Sequence, residues 1–456
     1  MNEMKSSKKI FLLIVAGAVV LASCTKIRND LEPFRPPVSR TFIVYIGGDN
    51  NLYINMLDNI KQMIESTTRE TLNNGRIVIY FSPRMDYIDN STIDPDKYPA
   101  PEILKFTTPQ LIEIYVDKSN KGAVRILKSY DKQSAASPAV LKQVINDVRE
   151  YAPAESYCID FSSHGTGWLP ATTTTPVSAF VAASRADSGD DSVPPKLQTF
   201  SDEGRRGQSF QMNIEDLAAA LPDKMFDMIM FDACLMGSVE VAYELRNKTP
   251  YIVASVAEIP AAGFPYSAIL KYIFTKELDP EVICREYITY YDSNSNATVA
   301  LYNTAGLPAL AAATREVVQH YGNYMRDMQV NYSKIYLDGG SGSFVPVQYY
   351  YRTSSQSPTA IDMGDVMDIL LSQRDPTLLA AWKATLSDVV LYSASTKYSN
   401  DGNSLFSTSS YPFYYLRLSG ITMHVPALGY DAISASQDWN AYFYNNTQWG
   451  KDVFGQ

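Results

Sequence analysis

Residues 41–46 (TFIVYI) are apolar almost without a break and are closed by Gly47, Gly48, Asp49, Asn50 and Asn51. A short run of that kind, bounded by turn formers, predicts a strand buried on both faces. Leu57, Ile60 and Ile64 then recur at helical spacing. Residues 77–81 predict a second strand. Ser137 and Pro138 suit the cap and first turn of a helix whose Leu141, Val144, Ile145 and Val148 form one apolar stripe. Residues 157–161, 227–231 and 251–255 predict three more strands. Short apolar strands alternating with amphipathic helices argue for an α/β fold, a parallel sheet covered on both faces. Ligands of such sheets bind beyond the carboxyl ends of the strands.

Between the third strand and a helix near Asn213 lies a segment, 171–208, rich in Thr, Ser, Asp and Pro. Loops of that length are usually functional or flexible. Beyond about residue 300 the pattern loosens. Residues 338–343 (DGGSGS) read as an exposed loop, and 347–351 are rich in Tyr. Order returns in a helix at 361–371 and a strand at 421–425. The expected organisation is a core over 41–300 and a C-terminal part, 301–456, packed on it.

The N-terminus carries Lys5, Lys8 and Lys9, an apolar run over 10–21, and then Leu21-Ala22-Ser23-Cys24. A basic stretch, a short apolar stretch and small residues describe an export signal, here 1–23. The run is too short to span a bilayer, which takes about 20 residues. Its last four residues resemble a bacterial lipobox, which makes Cys24 the expected lipidated residue. Residues 24–40 then read as a polar tether to a membrane, on its periplasmic face or at the cell surface.

Composition narrows the function. With 46% hydrophobic and 19% charged residues the chain can bury a sizeable core. Its net charge of −10 argues against a nucleic-acid partner, which would need a basic face. Three histidines make a His-rich metal site unexpected, and four cysteines are too few for a disulfide scaffold. With Cys24 lipidated, three thiols remain, so at least one stays unpaired.

Two strand ends carry reactive side chains. The third strand runs into Ser163-His164-Gly165-Thr166-Gly167-Trp168, and the fourth into Asp232-Ala233-Cys234-Leu235-Met236-Gly237. If these strands are neighbours, His164 and Cys234 face each other at the carboxyl edge, which suits a cysteine nucleophile with a histidine base. A helix opening at Cys234 would lower its thiol pKa. Gly165 lets backbone approach a substrate carbonyl, and its N–H could join that of Cys234 as an oxyanion hole. Asp232 has two readings, the floor of a pocket selecting Arg or Lys and a helix N-cap. Cys158 and Cys284 read as core, and His320 and His424 as structural.

These residues resemble the clostripain family of cysteine peptidases. The resemblance is carried by Gly48-Asp49-Asn50-Asn51-Leu52, by 163–168, by 231–240 (FDACLMGSVE), by 257–266 (AEIPAAGFPY), by 361–366 (IDMGDV) and by 419–426 (SGITMHVP). It implies a caspase-like α/β/α sandwich with a mostly parallel central sheet and C-terminal additions. It implies His164 as general base and acid, Cys234 as nucleophile, Gly165 in the oxyanion hole, Asp232 as the selector of basic side chains and Asn50 near the substrate. It also implies processing between the His and Cys blocks, where Arg185, Lys196, Arg205 and Arg206 lie. Some members are stimulated by calcium, for which Asp187, Asp190 and Asp191 offer oxygen ligands, a solvated acidic loop being the other reading of these three, and no cofactor is required for the chemistry. The expected partners are proteins or peptides with basic residues. A peptide- or glycan-binding lipoprotein on the same fold is the alternative, and a transpeptidase a third reading.

Overall fold

The computed structural model describes residues 36–83, 94–171, 200–203, 210–292, 297–335, 350, 360–396, 418–426 and 439–455. A nine-stranded sheet organises them. Its strands are β1 (Val38–Gly47), β2 (Arg76–Ser82), β3 (Gln110–Val116), β4 (Gly122–Ser129) and β5 (Ala154–Ser162). After a two-stranded ribbon of β6 (Phe200–Glu203) and β7 (Phe210–Met212) come β8 (Phe226–Asp232), β9 (Tyr251–Ala254) and β10 (Thr298–Asn303). A small pair, β11 (Ile361–Asp362) and β13 (Thr422–Met423), flanks β12 (Val390–Ser395) in sequence. The large sheet has the order β12-β10-β9-β8-β5-β1-β2-β3-β4. The central five strands are parallel; β3 and β4 at one edge, and β10 and β12 at the other, are antiparallel.

The apolar runs predict the centre because those strands are covered on both sides. Phe42, Val44 and Ile46 of β1 face a layer formed by α1 (Tyr53–Ser66), α6 (Tyr266–Ile273) and α7 (Pro280–Tyr291). The intervening residues face α3 (Pro138–Tyr151), α4 (Ile214–Ala220) and α5 (Val239–Leu245). On that second face Tyr80, Tyr45, Phe161 and Phe231 lie in register across β2, β1, β5 and β8. Their ring centroids are 4.8, 5.9 and 5.5 Å apart along the row. Each such contact adds about 0.5–1.5 kcal/mol to the burial itself. Between α1 and β2 the chain makes a single helical turn, α2 (Arg69–Leu72).

Three expectations change. β1 begins at Val38, not at 41, because Val38 and Arg40 pair with Ala154 and Ser156, and Arg40 is buried with a bond to Asp227. The expected boundary at 300 falls inside β10, and β12 joins the same sheet, so the C-terminal part supplies strands as well as cover. It also supplies α8 (Leu307–Ile335), α9 (Met363–Leu371), α10 (Pro376–Val389) and α11 (Trp439–Asn446). Finally, two strands stand where none was expected: β3, whose Leu111, Ile112 and Ile114 are fully buried, and β4. β4 is half exposed along most of its length, so its pattern is mixed.

Candidate active site

β5 and β8 are adjacent and parallel, so the two reactive strand ends meet at the carboxyl edge as expected. Contact between their loops is close. A Cβ placed on Gly165 would lie 2.7 Å from the Cys234 carbonyl oxygen and 3.0 Å from Met236 Sδ. Only a residue without a side chain allows that approach. His164 is buried, and its Nε2 donates to Asn51 Oδ1 at 2.7 Å. Asn51 follows β1, so three neighbouring strand ends contribute to the edge.

Asn50, the expected substrate neighbour, has a carboxamide engaged within the protein. Its Nδ2 donates to Gly47 O at 2.8 Å and to Ser163 Oγ at 3.2 Å, and its Oδ1 accepts the Leu52 N–H. It ties the turn after β1 to the residue preceding His164.

Cys234 does not open a helix. The chain turns with Leu235 at φ 62°, and α5 starts only at Val239, capped by Ser238. The intervening amides of Leu235 and Gly237 donate instead to Ala257 O and Ser255 O. The expected lowering of the thiol pKa is therefore absent. Burial, then Glu258, push the Cys234 thiol up to about 12, against a smaller pull from the Ile259 N–H, which donates to Sγ at 3.5 Å.

Asp232 caps no helix either. It ends β8 on the same face as Asp160 of β5, and both carboxyl groups are buried. Asp232 Oδ1 accepts the Phe264 N–H at 3.2 Å, and Oδ2 lies 3.1 Å from Tyr266 Oη. Ser162 and Asn59 are longer contacts at 3.5 and 3.4 Å. Burial and the adjacent Asp160 push Asp232 up to about 8, and burial pushes Asp160 up to about 6. Segment 257–265 lies against Cys234 and Asp232. Gly263, at φ 70°, sits so close that a Cβ there would be 2.5 Å from Asp232 Oδ2. Glu258 on this segment is raised well above the usual carboxylate range by burial, and its Oε1 is buried with no hydrogen-bond partner among the described residues.

Trp168 leaves the edge for the C-terminal part. Its ring lies 4.5 Å from His424 and 5.4 Å from Phe443. The His424 N–H donates to Glu240 Oε1 at 2.7 Å, and burial lowers the His424 pKa to about 4.

Sequence reasoning missed Asn51, Asp160, Tyr266 and Glu258. A lone acid inside an otherwise apolar strand was the available signal for Asp160. Asn51 stood among five turn formers and had none. Cys24, Arg185, Lys196, Arg205, Arg206, Asp187, Asp190 and Asp191 lie outside the described residues. Among the described residues no group of three or more His, Cys, Asp or Glu is placed to hold a metal ion, and no helix is long and apolar enough to cross a membrane.

Comparison with known proteins places these features in a wider group. The clostripain family (Peptidase C11) matches residues 44–453. Clostripain of Hathewaya histolytica is 26% identical over 245 residues, which is 51% of this chain and 42% of that protein. The chain thus spans less than half the length of that curated relative. The structure of an inactive zymogen C11 protease from Parabacteroides distasonis aligns with a TM-score of 0.68 and 26% identity, over 92% of this chain and 99% of the other. A secreted C11 cysteine protease from Bacteroides thetaiotaomicron shares the fold, with a TM-score of 0.65 at 23% identity over 92% of this chain and all of that one.

Proposed function

Because the chain belongs to the clostripain family, we propose that it is a cysteine endopeptidase that cuts after Arg or Lys, with Cys234 as nucleophile and His164 as base. In this reading Asn51 orients the His164 ring through its bond to Nε2, and the ring accepts the thiol proton at Nδ1. The Cys234 thiolate attacks the scissile carbonyl carbon, and the oxyanion is met by the N–H groups of Gly165 and Cys234. Collapse breaks the C–N bond, and His164 returns the proton to the leaving amine. Water, deprotonated by His164, then opens the thioester and releases the acid and the free thiol.

The basic preference is carried by one observation. Asp160 and Asp232 are buried carboxyl groups at this edge, Glu258 beside Cys234 is half-buried with Oε1 shielded from solvent, and none of the three has a basic partner among the described residues. Buried acids without a cation stay protonated at a cost, and a guanidinium or ammonium group relieves it. The same reading has the chain exported and lipidated at Cys24, with processing after Arg205 or Arg206 as the way from a zymogen to the active form; Arg185 and Lys196 are the other basic candidates.

Paired fluorogenic peptides with Arg, Lys, Asp or Leu before the reporter test the proposal in wild type and Cys234→Ala. The expected result is turnover of the Arg and Lys peptides, lost by at least about 10³-fold in the variant. Equal turnover by Cys234→Ala removes the nucleophile. Turnover of Leu or Asp peptides alone removes the basic preference but leaves the nucleophile.

A further inference from the structure

We propose that Asp160 tunes the selection of basic side chains by sharing a single proton with Asp232 through the Tyr266 hydroxyl, so that a cationic substrate binds with release of that proton. The inference rests on the basic preference argued above and adds a residue and a pH dependence to it.

Counting hydrogens leads there. Tyr266 Oη lies 2.5 Å from Asp160 Oδ2 and 3.1 Å from Asp232 Oδ2. A phenol has one proton to donate and a lone pair to accept another. With both carboxyls ionised, one of these two contacts would set lone pair against lone pair. With one extra proton both become hydrogen bonds, Asp232 Oδ2–H to Tyr266 Oη and Tyr266 Oη–H to Asp160 Oδ2. Asp160 is the ionised member, because it takes the shorter contact with Tyr266 Oη, 2.5 against 3.1 Å, as a charge-assisted bond does, while the Oδ1 of each acid accepts one backbone N–H. The chain of two bonds holds a net charge of −1.

The surroundings keep it so. Asp160 and Ser162 on β5, Met230 and Asp232 on β8, and Asn59 on α1 line this face. α6 contributes Tyr266, α7 contributes Tyr291, whose hydroxyl donates to Gly263 O, and the overlying turn and segment bring Cys234 and Glu258. No basic side chain pairs with either carboxyl among the described residues. When a guanidinium approaches Asp232, its carboxylate becomes the favoured form. The O–H bond of Asp232 breaks, the proton passes to solvent, and Tyr266 continues to donate to Asp160. No other bond changes.

The test uses the full-length chain and two peptides that differ in one group, Arg and its neutral isostere citrulline before the reporter. Their ratio of kcat/KM cancels the titration of Cys234 and His164. In wild type the Arg-to-citrulline ratio is expected to rise about tenfold per pH unit up to about pH 8 and then level, since one proton leaves on binding. In Asp160→Asn the like charge is gone, Asp232 ionises at lower pH, and the ratio is expected to level at a lower pH than in wild type. Tyr266→Phe, which removes the bridge but keeps the ring, is the second variant, with the rise displaced along the pH axis. Identical slopes in wild type and both variants overturn the role of Asp160. A ratio near unity at every pH in wild type instead overturns the basic preference itself.

Discussion

At the scale of single residues the site depends on contacts that one atom decides. Asn51 makes no packing contribution comparable to its bond with His164, and it is exposed on its other side. Asn51→Ala is therefore expected to lower kcat by about tenfold or more, with KM little changed, as base orientation is lost. Steady-state kinetics on an Arg peptide check this, and a KM effect alone would move Asn51 to substrate binding. Gly165 is stricter. An added methyl meets a backbone oxygen at 2.7 Å, not the movable end of a side chain. Gly165→Ala is expected to cost about 1–3 kcal/mol of stability and nearly all activity, read by denaturant titration and peptide turnover on the same sample. The meeting of the His164 and Cys234 loops was legible because reactive types stood at the ends of two strands that prove to be neighbours. Asn51 and Tyr266 were not, because their roles come from chain segments distant in sequence.

At the scale of elements, apolar runs revealed β1, β2, β5, β8 and β9, and period revealed α1 and α3. The misplaced element was the helix after Cys234. Val241 and Leu245 announced it correctly, but the turn at Leu235 and the hydrogen bonds of Gly237 to Ser255 postpone its start to Val239. Long-range backbone pairing won over local propensity there. α11 acts from afar: Phe443 packs on both Trp168 and His424, at 5.4 and 4.8 Å between ring centroids. Phe443→Ala is expected to destabilise the protein by about 3–5 kcal/mol, and peptide turnover should fail at a lower temperature than the far-UV signal of the sheet. Coincident loss of both signals would show that α11 supports the fold without a particular tie to the His164 loop.

Across the whole molecule, buried acids set how stability responds to pH. Glu240 is fully buried and pushed up to about 7 by burial, joining Asp160 and Asp232. Unfolded carboxyls titrate near 4, so between there and about pH 8 the native state holds more protons and stability falls as pH rises. His424 acts oppositely. Its lowered pKa keeps it neutral when folded, and the unfolded chain gains a proton below about 6.5, so acid removes stability there. Melting temperature is expected to peak in mild acid and decline toward pH 9. Glu240→Gln keeps the acceptor for the His424 N–H and should raise stability at pH 8 by about 1–3 kcal/mol; no gain would mean that this carboxyl ionises without penalty. The N–H of Thr422 donates to Gly237 O, and Ser238 pairs with Thr422 beside the turn that carries Cys234. A ribosome delivers His164 and Cys234 long before it delivers Thr422, His424 and Phe443. The turn that carries Cys234 therefore receives its two ties to Thr422 late in synthesis, well after its own residues have been made.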